Sequence, residues 1–226
     1  MEKIVISTLH QEVAKRIREL ISAGALKKGQ KIDEKALCES MGVSRTPVRE
    51  SLRILHSEGL IDLIPHRGAY VSKPCIEDIQ EMFEVMSTLE GMCARLAVQN
   101  LTPQDLKRIE SLHGKLEQYY GEWDHRGYLE HNEVLHLFVQ ELAGNKILNE
   151  VIDGLRRKIL LYRHEQLYRP ERFHQSVQEH REILDAFQLK DPAAAESVMK
   201  RHLLNQGKAL VGLYASKKEK GKRQAA

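Results

Sequence analysis

From Ile76 to Tyr214 the chain offers helix and little else. Apolar residues recur at helical spacing in six runs, 76–99, 103–120, 127–142, 146–168, 173–188 and 192–214. The breaks between the runs are Asn100-Leu101-Thr102-Pro103, Gly121 to Arg126, Gly144-Asn145, Arg169-Pro170 and Lys190-Asp191-Pro192. Thr102-Pro103 and Asp191-Pro192 each place an N-cap residue before a proline at the first helical position, where a missing N–H leaves nothing unsatisfied. Six helices of this length with short loops predict an antiparallel all-helical bundle.

The first 73 residues follow another pattern. Apolar residues at 9, 13, 17, 20 and 21 predict a helix over Leu9–Ile21, with Gly24 as its C-cap. A short helix from Glu34 to Met41 stops at Gly42. Ser44 is then a good N-cap, and Pro47 falls in the first turn of a helix reaching Glu58. Its apolar face is Val48, Leu52 and Leu55, while Arg45, Arg49 and Arg53 repeat every fourth residue on another. After Gly59 two β-prone runs, Leu60–Ile64 and Ala69–Ser72, flank Pro65-His66-Arg67-Gly68 and predict a hairpin. Helix, helix, turn, helix, β-wing is a winged helix-turn-helix layout. The predicted fold is therefore mostly α, with a winged helix-turn-helix over 1–73 and a helical bundle over 76–214. The basic tail 215–226 is predicted to be disordered.

Charge divides the chain in the same place. Residues 1–72 hold 12 basic and 9 acidic groups, whereas 73–215 hold 18 basic and 22 acidic, and the tail from Ser216 adds five basic groups and Glu219. A mildly basic front joined to an acidic middle suggests two modules with different partners. Three cysteines, Cys38, Cys75 and Cys93, with no Cys-x-x-Cys pair, argue against a disulfide framework or a cysteine zinc cluster. Cys38 and Cys93 fall in predicted helices and read as small core residues. No apolar run reaches the roughly 18 residues of a membrane span, and Met1–His10 lacks a signal-peptide core, so a cytoplasmic protein is expected.

An α-helix fits the major groove of double-stranded DNA, and arginine can bond guanine through two donors. Arg45 and Arg49 project from one side of the helix that Ser44 opens, and that N-terminus offers free N–H groups to a phosphate. In isolation such a helix is an ordinary salt-bridged surface helix; the turn and wing around it point to DNA. Gly42-Val43-Ser44-Arg45-Thr46-Pro47-Val48-Arg49-Glu50-Ser51-Leu52, then Leu55, Glu58-Gly59-Leu60 and Arg67-Gly68-Ala69-Tyr70-Val71, resemble the winged helix of GntR-type bacterial transcription regulators. The resemblance covers about 8–72 and implies DNA contacts from Lys35, Ser44, Arg45, Thr46, Arg49, His66, Arg67 and Gly68. Lys35 stands where relatives often carry arginine, which would turn a two-pronged contact into a simple phosphate contact.

Eight of the eleven histidines lie beyond residue 76. Asn132 and His136 are four apart on one predicted helix and share a face, while His180 and His202 sit on two further helices beside apolar residues. Three neutral imidazoles and one oxygen would suit a divalent cation such as zinc. By spacing alone, scattered histidines are more often polar surface or hydrogen-bonded core groups. The helical half, however, resembles the FCD-type effector domain of the FadR-like branch of the GntR regulators. Leu89-Glu90 within Met86–Ala97, Asn132-x-x-x-His136 before Ala143-Gly144-Asn145, Glu179-His180-Arg181-x-Ile183-Leu184-x-Ala186, and Arg201-His202-Leu203 carry the likeness.

That resemblance implies a metal held by Asn132, His136, His180 and His202, with zinc first and nickel or manganese as alternatives. It also implies a small organic acid as effector, a homodimer on a palindromic operator, and a repressor. Two positions depart from the pattern: Asn132 replaces an acidic ligand, and Met86 stands where many relatives carry an arginine suited to a carboxylate. His131 points to another face. Tyr119, Tyr120, Trp123 and Tyr128 read as packing at one end of the bundle. Arg156, Arg157 and Arg163 read as a solvated face, although one could anchor an anion. Two rivals belong to other classes. A metal-dependent hydrolase would need an open coordination position and a general base, but neither His-Glu-x-x-His, nor a nucleophile elbow, nor a glycine-rich phosphate loop is present. An architectural DNA-binding protein would use the bundle purely as structure.

Overall fold

The computed structural model describes residues 8–73, 76–163, 167 and 169–224, and of these the side chains of 160–163 and 217–224 are left undescribed. The chain divides into two compact units, Met1–Pro74 and Cys75–Ala226.

The first unit contains α1 (Leu9–Ser22), α2 (Glu34–Met41), α3 (Arg45–Ser57), β1 (Ile61–Ile64) and β2 (Gly68–Val71). Its core is Val13, Ile17 and Ile21 from α1, Leu37 from α2, and Val48, Leu52 and Leu55 from α3, all buried. Asp33 caps α2 by accepting from the backbone N–H groups of Lys35 and Ala36. Gly42 ends that helix at φ +65, a left-handed conformation that gives the sharp turn into α3. Ser44 occupies the predicted N-cap position of α3, but its hydroxyl makes no capping bond. Arg18 of α1 grips Glu58 beyond α3 with Nη2 to Oε1 at 2.9 Å.

β1 and β2 pair antiparallel in the register Ile61↔Val71 to Ile64↔Gly68. Arg67 N–H donates to Ile64 O at 3.0 Å across the tip, with Pro65 second in the turn and His66 third at φ +60. Proline then a positive φ is the type II pattern. The segment before α2 lies along the hairpin as well, since Ile32 N–H donates to Ala69 O and Val71 N–H to Gln30 O, both at 2.9 Å.

The second unit is the helical bundle: α4 (Ile76–Asn100), α5 (Pro103–Gly121), α6 (His125–Ala143), α7 (Lys146–Arg163), α8 (Pro170–Gln188) and α9 (Pro192–Gln224). α4 is its axis, packing on α6, α7 and α9, while α5 packs on α6 and α8. At Gly207 of α9 a Cβ would stand 2.7 Å from the Cβ of Phe83, so the α4–α9 approach requires glycine there. Thr102 and Asp105 form a capping box on α5, and Asp191 accepts from Ala193 and Ala194 at the start of α9.

Several boundaries differ from the sequence expectation. α6 runs from His125 to Ala143 rather than over 127–142, because Asp124 caps it by accepting from the Gly127 N–H. α8 begins at Pro170 rather than 173, because proline suits the first turn of a helix, where its missing N–H leaves nothing unsatisfied. α9 continues to Gln224 instead of ending at 214: four lysines, Arg223, Glu219 and Gln224 in 215–224 have the propensity to extend a helix, against the single Gly221. Of the continuation of α7 to 168, residues 164–166 and 168 lie outside the described residues, as do 225–226 of the tail and Cys75. No helix is long and apolar enough to cross a membrane among the described residues.

Candidate functional site

Two sites emerge, one in each unit. In the first, Lys31, Asp33, Glu34, Lys35, Arg45, His66, Arg67 and Gly68 line a cleft of about 640 Å³ between the wing and the start of α2 and α3. Five of the eight predicted DNA-contacting residues, Lys35, Arg45, His66, Arg67 and Gly68, therefore converge on one concavity. Ser44 and Thr46 are exposed at the α3 N-terminus. Arg49 joins the group through Glu34, whose Oε2 accepts from its Nε at 3.0 Å. The Arg67 guanidinium stands 5.8 Å from the centre of the Tyr70 ring, a cation–π distance that steadies the wing tip.

The second site lies inside the bundle. His136 of α6, His180 of α8 and His202 of α9 are buried together, with ring centroids 5.6 Å (136–180), 5.5 Å (136–202) and 4.6 Å (180–202) apart. A ring nitrogen from each falls within 4.8 Å of the other two. Asn132, one turn before His136, is also buried.

Partners behind the rings decide which nitrogens face inward. Glu90 Oε2 accepts from His136 Nδ1 at 2.6 Å, and Glu179 Oε2 accepts from His202 Nδ1 at 2.7 Å. Each carboxylate thereby holds its imidazole as the Nδ1–H tautomer, leaving the Nε2 lone pair available. Each carboxylate also meets a buried arginine: Arg156 Nη2 donates to Glu90 Oε1 at 2.7 Å, and Arg172 Nη2 to Glu179 Oε2 at 2.9 Å. Asn205 Nδ2 adds a bond to Glu179 Oε1 at 2.8 Å.

Burial pushes the Glu90 carboxyl upward, but Arg156 and His136 outweigh it and hold the group well below the usual carboxylate range. Glu179 is likewise lowered, its burial outweighed by His202 and Arg172. Burial, then the neighbouring imidazoles, drives His180 far below the ordinary histidine value. Burial takes His202 down to about 4 against the pull of Glu179. Both rings are neutral at pH 7, as ligands must be.

Several buried polar atoms have no hydrogen-bond partner: Asn132 Oδ1, His136 Nε2, and both ring nitrogens of His180. Orphaned groups of this kind are costly and call for an explanation. His202 Nε2 has Gln206 Nε2 at 2.8 Å, so the amide donates to its lone pair. Three imidazole nitrogens and a carbonyl oxygen are a donor set suited to a divalent transition ion, and these residues fit one.

The remaining sequence candidates sort as follows. His131 lies outside the cluster, its ring tilted at 48° against Tyr119 with centroids 4.7 Å apart and bonded to Gly127 O. Tyr120, Trp123 and Phe173 pack at the bundle end. Tyr128 belongs partly to the site: its ring is 6.2 Å from His180 and its hydroxyl meets Ser176 Oγ at 3.0 Å. Arg156 corrects the expectation of a solvated face, because it is buried on Glu90, whereas Arg157 is exposed. The Arg163 side chain lies outside the described residues. Cys93 is buried and Cys38 half-buried. Sequence reasoning gave no role to Glu90, Glu179, Arg172 or Gln206. The available signals were the Glu179-His180 neighbours, the four-residue step from His202 to Gln206, and a carboxylate at 90 on the helix face of Phe83, Met86, Ala94 and Ala97.

Comparison with known proteins follows the same division. The pattern of the FCD domain matches residues 81–205, and that of bacterial regulatory proteins of the gntR family matches 9–71. The chain is 30% identical over 187 residues to the HTH-type transcriptional regulator McbR of Escherichia coli, covering 81% of this chain and 84% of McbR. It is 27% identical to a probable D-xylose utilization operon transcriptional repressor of Paenarthrobacter nicotinovorans, covering 84% and 85%. The solved structure of E. coli McbR superimposes with a TM-score of 0.76 at 28% identity, over 92% of this chain and all of that one. A GntR-type putative transcriptional regulator from a Rhodococcus species gives 0.72 at 25% identity, over 90% of this chain and 97% of that one.

Proposed function

Given that the chain belongs to the GntR family of bacterial transcription regulators and carries an FCD domain, we propose that it is a metal-dependent repressor responsive to a small organic acid. DNA binding and the absence of an enzymatic role come with the family, which sets the hydrolase rival aside. The finer reading rests above all on three buried imidazoles whose inward nitrogens lack partners or hold only an amide.

Asn132, His136, His180 and His202 would hold the cation, zinc first, with nickel or manganese as alternatives. Bound there, it would supply a Lewis-acidic centre for a carboxylate. Glu90 and Glu179 fix ring orientation and tautomer, while Arg156 and Arg172 keep both acids ionised and in place. On DNA, the cleft between wing and α3 would receive the duplex. Arg45 and Arg49 would reach base edges, with Ser44, Thr46 and Lys35 on phosphates and His66, Arg67 and Gly68 at the wing tip. A cytoplasmic homodimer would present two such readers to a palindrome, mirroring its own two-fold symmetry. Effector binding would change operator affinity by a coupling of about 1–3 kcal/mol.

The test is operator binding with zinc, nickel or manganese in excess in the buffer, on DNA selected from a random pool, with and without a panel of organic acids. Selection of a palindrome released by one acid is the expected result. Affinity indifferent to metal and to every acid would overturn the sensing half of this reading and favour a purely structural bundle.

A further inference from the structure

The metal site carries no net charge of its own. Its four candidate donors are one amide and three imidazoles. The acids directly behind them, Glu90 and Glu179, are each cancelled by a buried arginine, Arg156 at 2.7 Å and Arg172 at 2.9 Å. Among the described residues, the largest electrostatic influences on His180 come from His202, His136, His113 and Arg172, and those on His202 from Glu179, His136 and Arg172. The one acid among these, Glu179, is paired with Arg172; Glu133 and Asp153 act on Arg156 and are not among the main influences on these rings, and both are half-buried, where water screens them.

A divalent ion placed among groups at most 4% exposed would therefore keep its full double charge in a medium that screens poorly. Charge buried without compensation is expensive, and the direct remedy is an anion in the ion's own coordination sphere. An aspartate at 132 would have supplied half of that remedy permanently; Asn132 supplies none. Three imidazoles and one amide oxygen leave room for such a ligand when the ion takes five or six ligands.

We infer that Asn132 and the two arginine-neutralised glutamates make cation and anion obligate partners in this site: the metal binds tightly only together with a carboxylate or comparable small anion, which coordinates it. This deepens the metal-and-acid reading above and rests on it. The site then senses the pair. Neither metal alone nor acid alone fills it, so each ligand raises the affinity for the other by the same factor.

The experiment titrates the demetallated full-length protein with cobalt(II), followed by its visible absorption. Ionic strength is held constant with perchlorate, and acetate or malonate is either present or absent. Working near pH 6.5 keeps metal-bound water from supplying hydroxide in place of the anion. Corrected for cobalt taken up by the free acids, apparent cobalt affinity should rise at least roughly ten-fold with one of the carboxylates. In Asn132→Asp, cobalt should bind more tightly without any carboxylate, and the added gain from carboxylate should shrink. Equal cobalt affinity with and without carboxylate in the unaltered protein would overturn the inference while leaving the metal reading intact. No cobalt binding under either condition would overturn the metal reading and this inference together.

Discussion

Glu34, in the first turn of α2, accepts a hydrogen bond at 3.0 Å from Nε of Arg49 in α3. The pair spans the turn of the helix-turn-helix, with Arg49 exposed and Glu34 half-buried, so its contribution to stability is small. Under the proposed DNA-reading role of Arg49, its consequence would be orientation, since Glu34 engages Nε and would set the guanidinium before DNA arrives.

Arg45→Ala and Arg49→Ala should each weaken operator binding by about 1–3 kcal/mol, read by fluorescence anisotropy on the selected DNA. Unchanged affinity in both variants would mean that the reading face lies elsewhere. Glu34→Gln should raise affinity for unrelated DNA several-fold, since it removes a negative charge from the cleft, and so should narrow the gap between operator and unrelated sequence.

His136→Ala and His180→Ala should abolish metal retention, measured by elemental mass spectrometry on protein purified without an affinity tag. About one metal per chain in the unaltered protein, absent from both variants, is the expected pattern. Metal retained in both would move the site away from these histidines.

Glu90→Gln should lower metal affinity by roughly 10–100-fold, the range for losing the carboxylate behind a liganding histidine. It also strands the Arg156 guanidinium, with an expected loss of about 3–5 kcal/mol of stability. The paired change Glu90→Gln with Arg156→Met should recover stability in a denaturant titration but leave metal affinity low. Recovery of both would show that Glu90 acts only through the fold.

Burial, with the Glu90 charge adding to it, pushes the Cys93 thiol up to about 12 from an ordinary 9.0. Its thiolate fraction near neutral pH is then roughly a thousand-fold smaller than in an unfolded chain. Iodoacetamide should label Cys38 in the native protein and reach Cys93 only after denaturation, as peptide mass spectrometry would show. Rapid native labelling of Cys93 would contradict its burial.

Helix starts were legible in the sequence because caps are local. Asp33, Thr102 and Asp191 each bond backbone groups two or three residues away, and no distant residue is needed to recognise them. Arg169-Pro170 misled because a proline that opens a helix reads like one that ends the preceding segment. In the bundle, Asn132 and His136 announce a shared face. Their meeting with His180 and His202 depends on α6, α8 and α9 packing, which spacing within one helix does not encode; the family likeness supplied it. Arg156 and Arg157 show how fine the missing information is. They are neighbours of identical chemistry, and only the rotation of α7 against α4 buries one and exposes the other.

The three imidazoles come from three helices that meet only in the finished bundle. A cation held by them would therefore act as a removable cross-link, fastening α6, α8 and α9 to one another without any covalent bond. Heat tolerance and protease resistance of the helical unit would then follow the metal supply, and a chelator would loosen the protein as well as silence it.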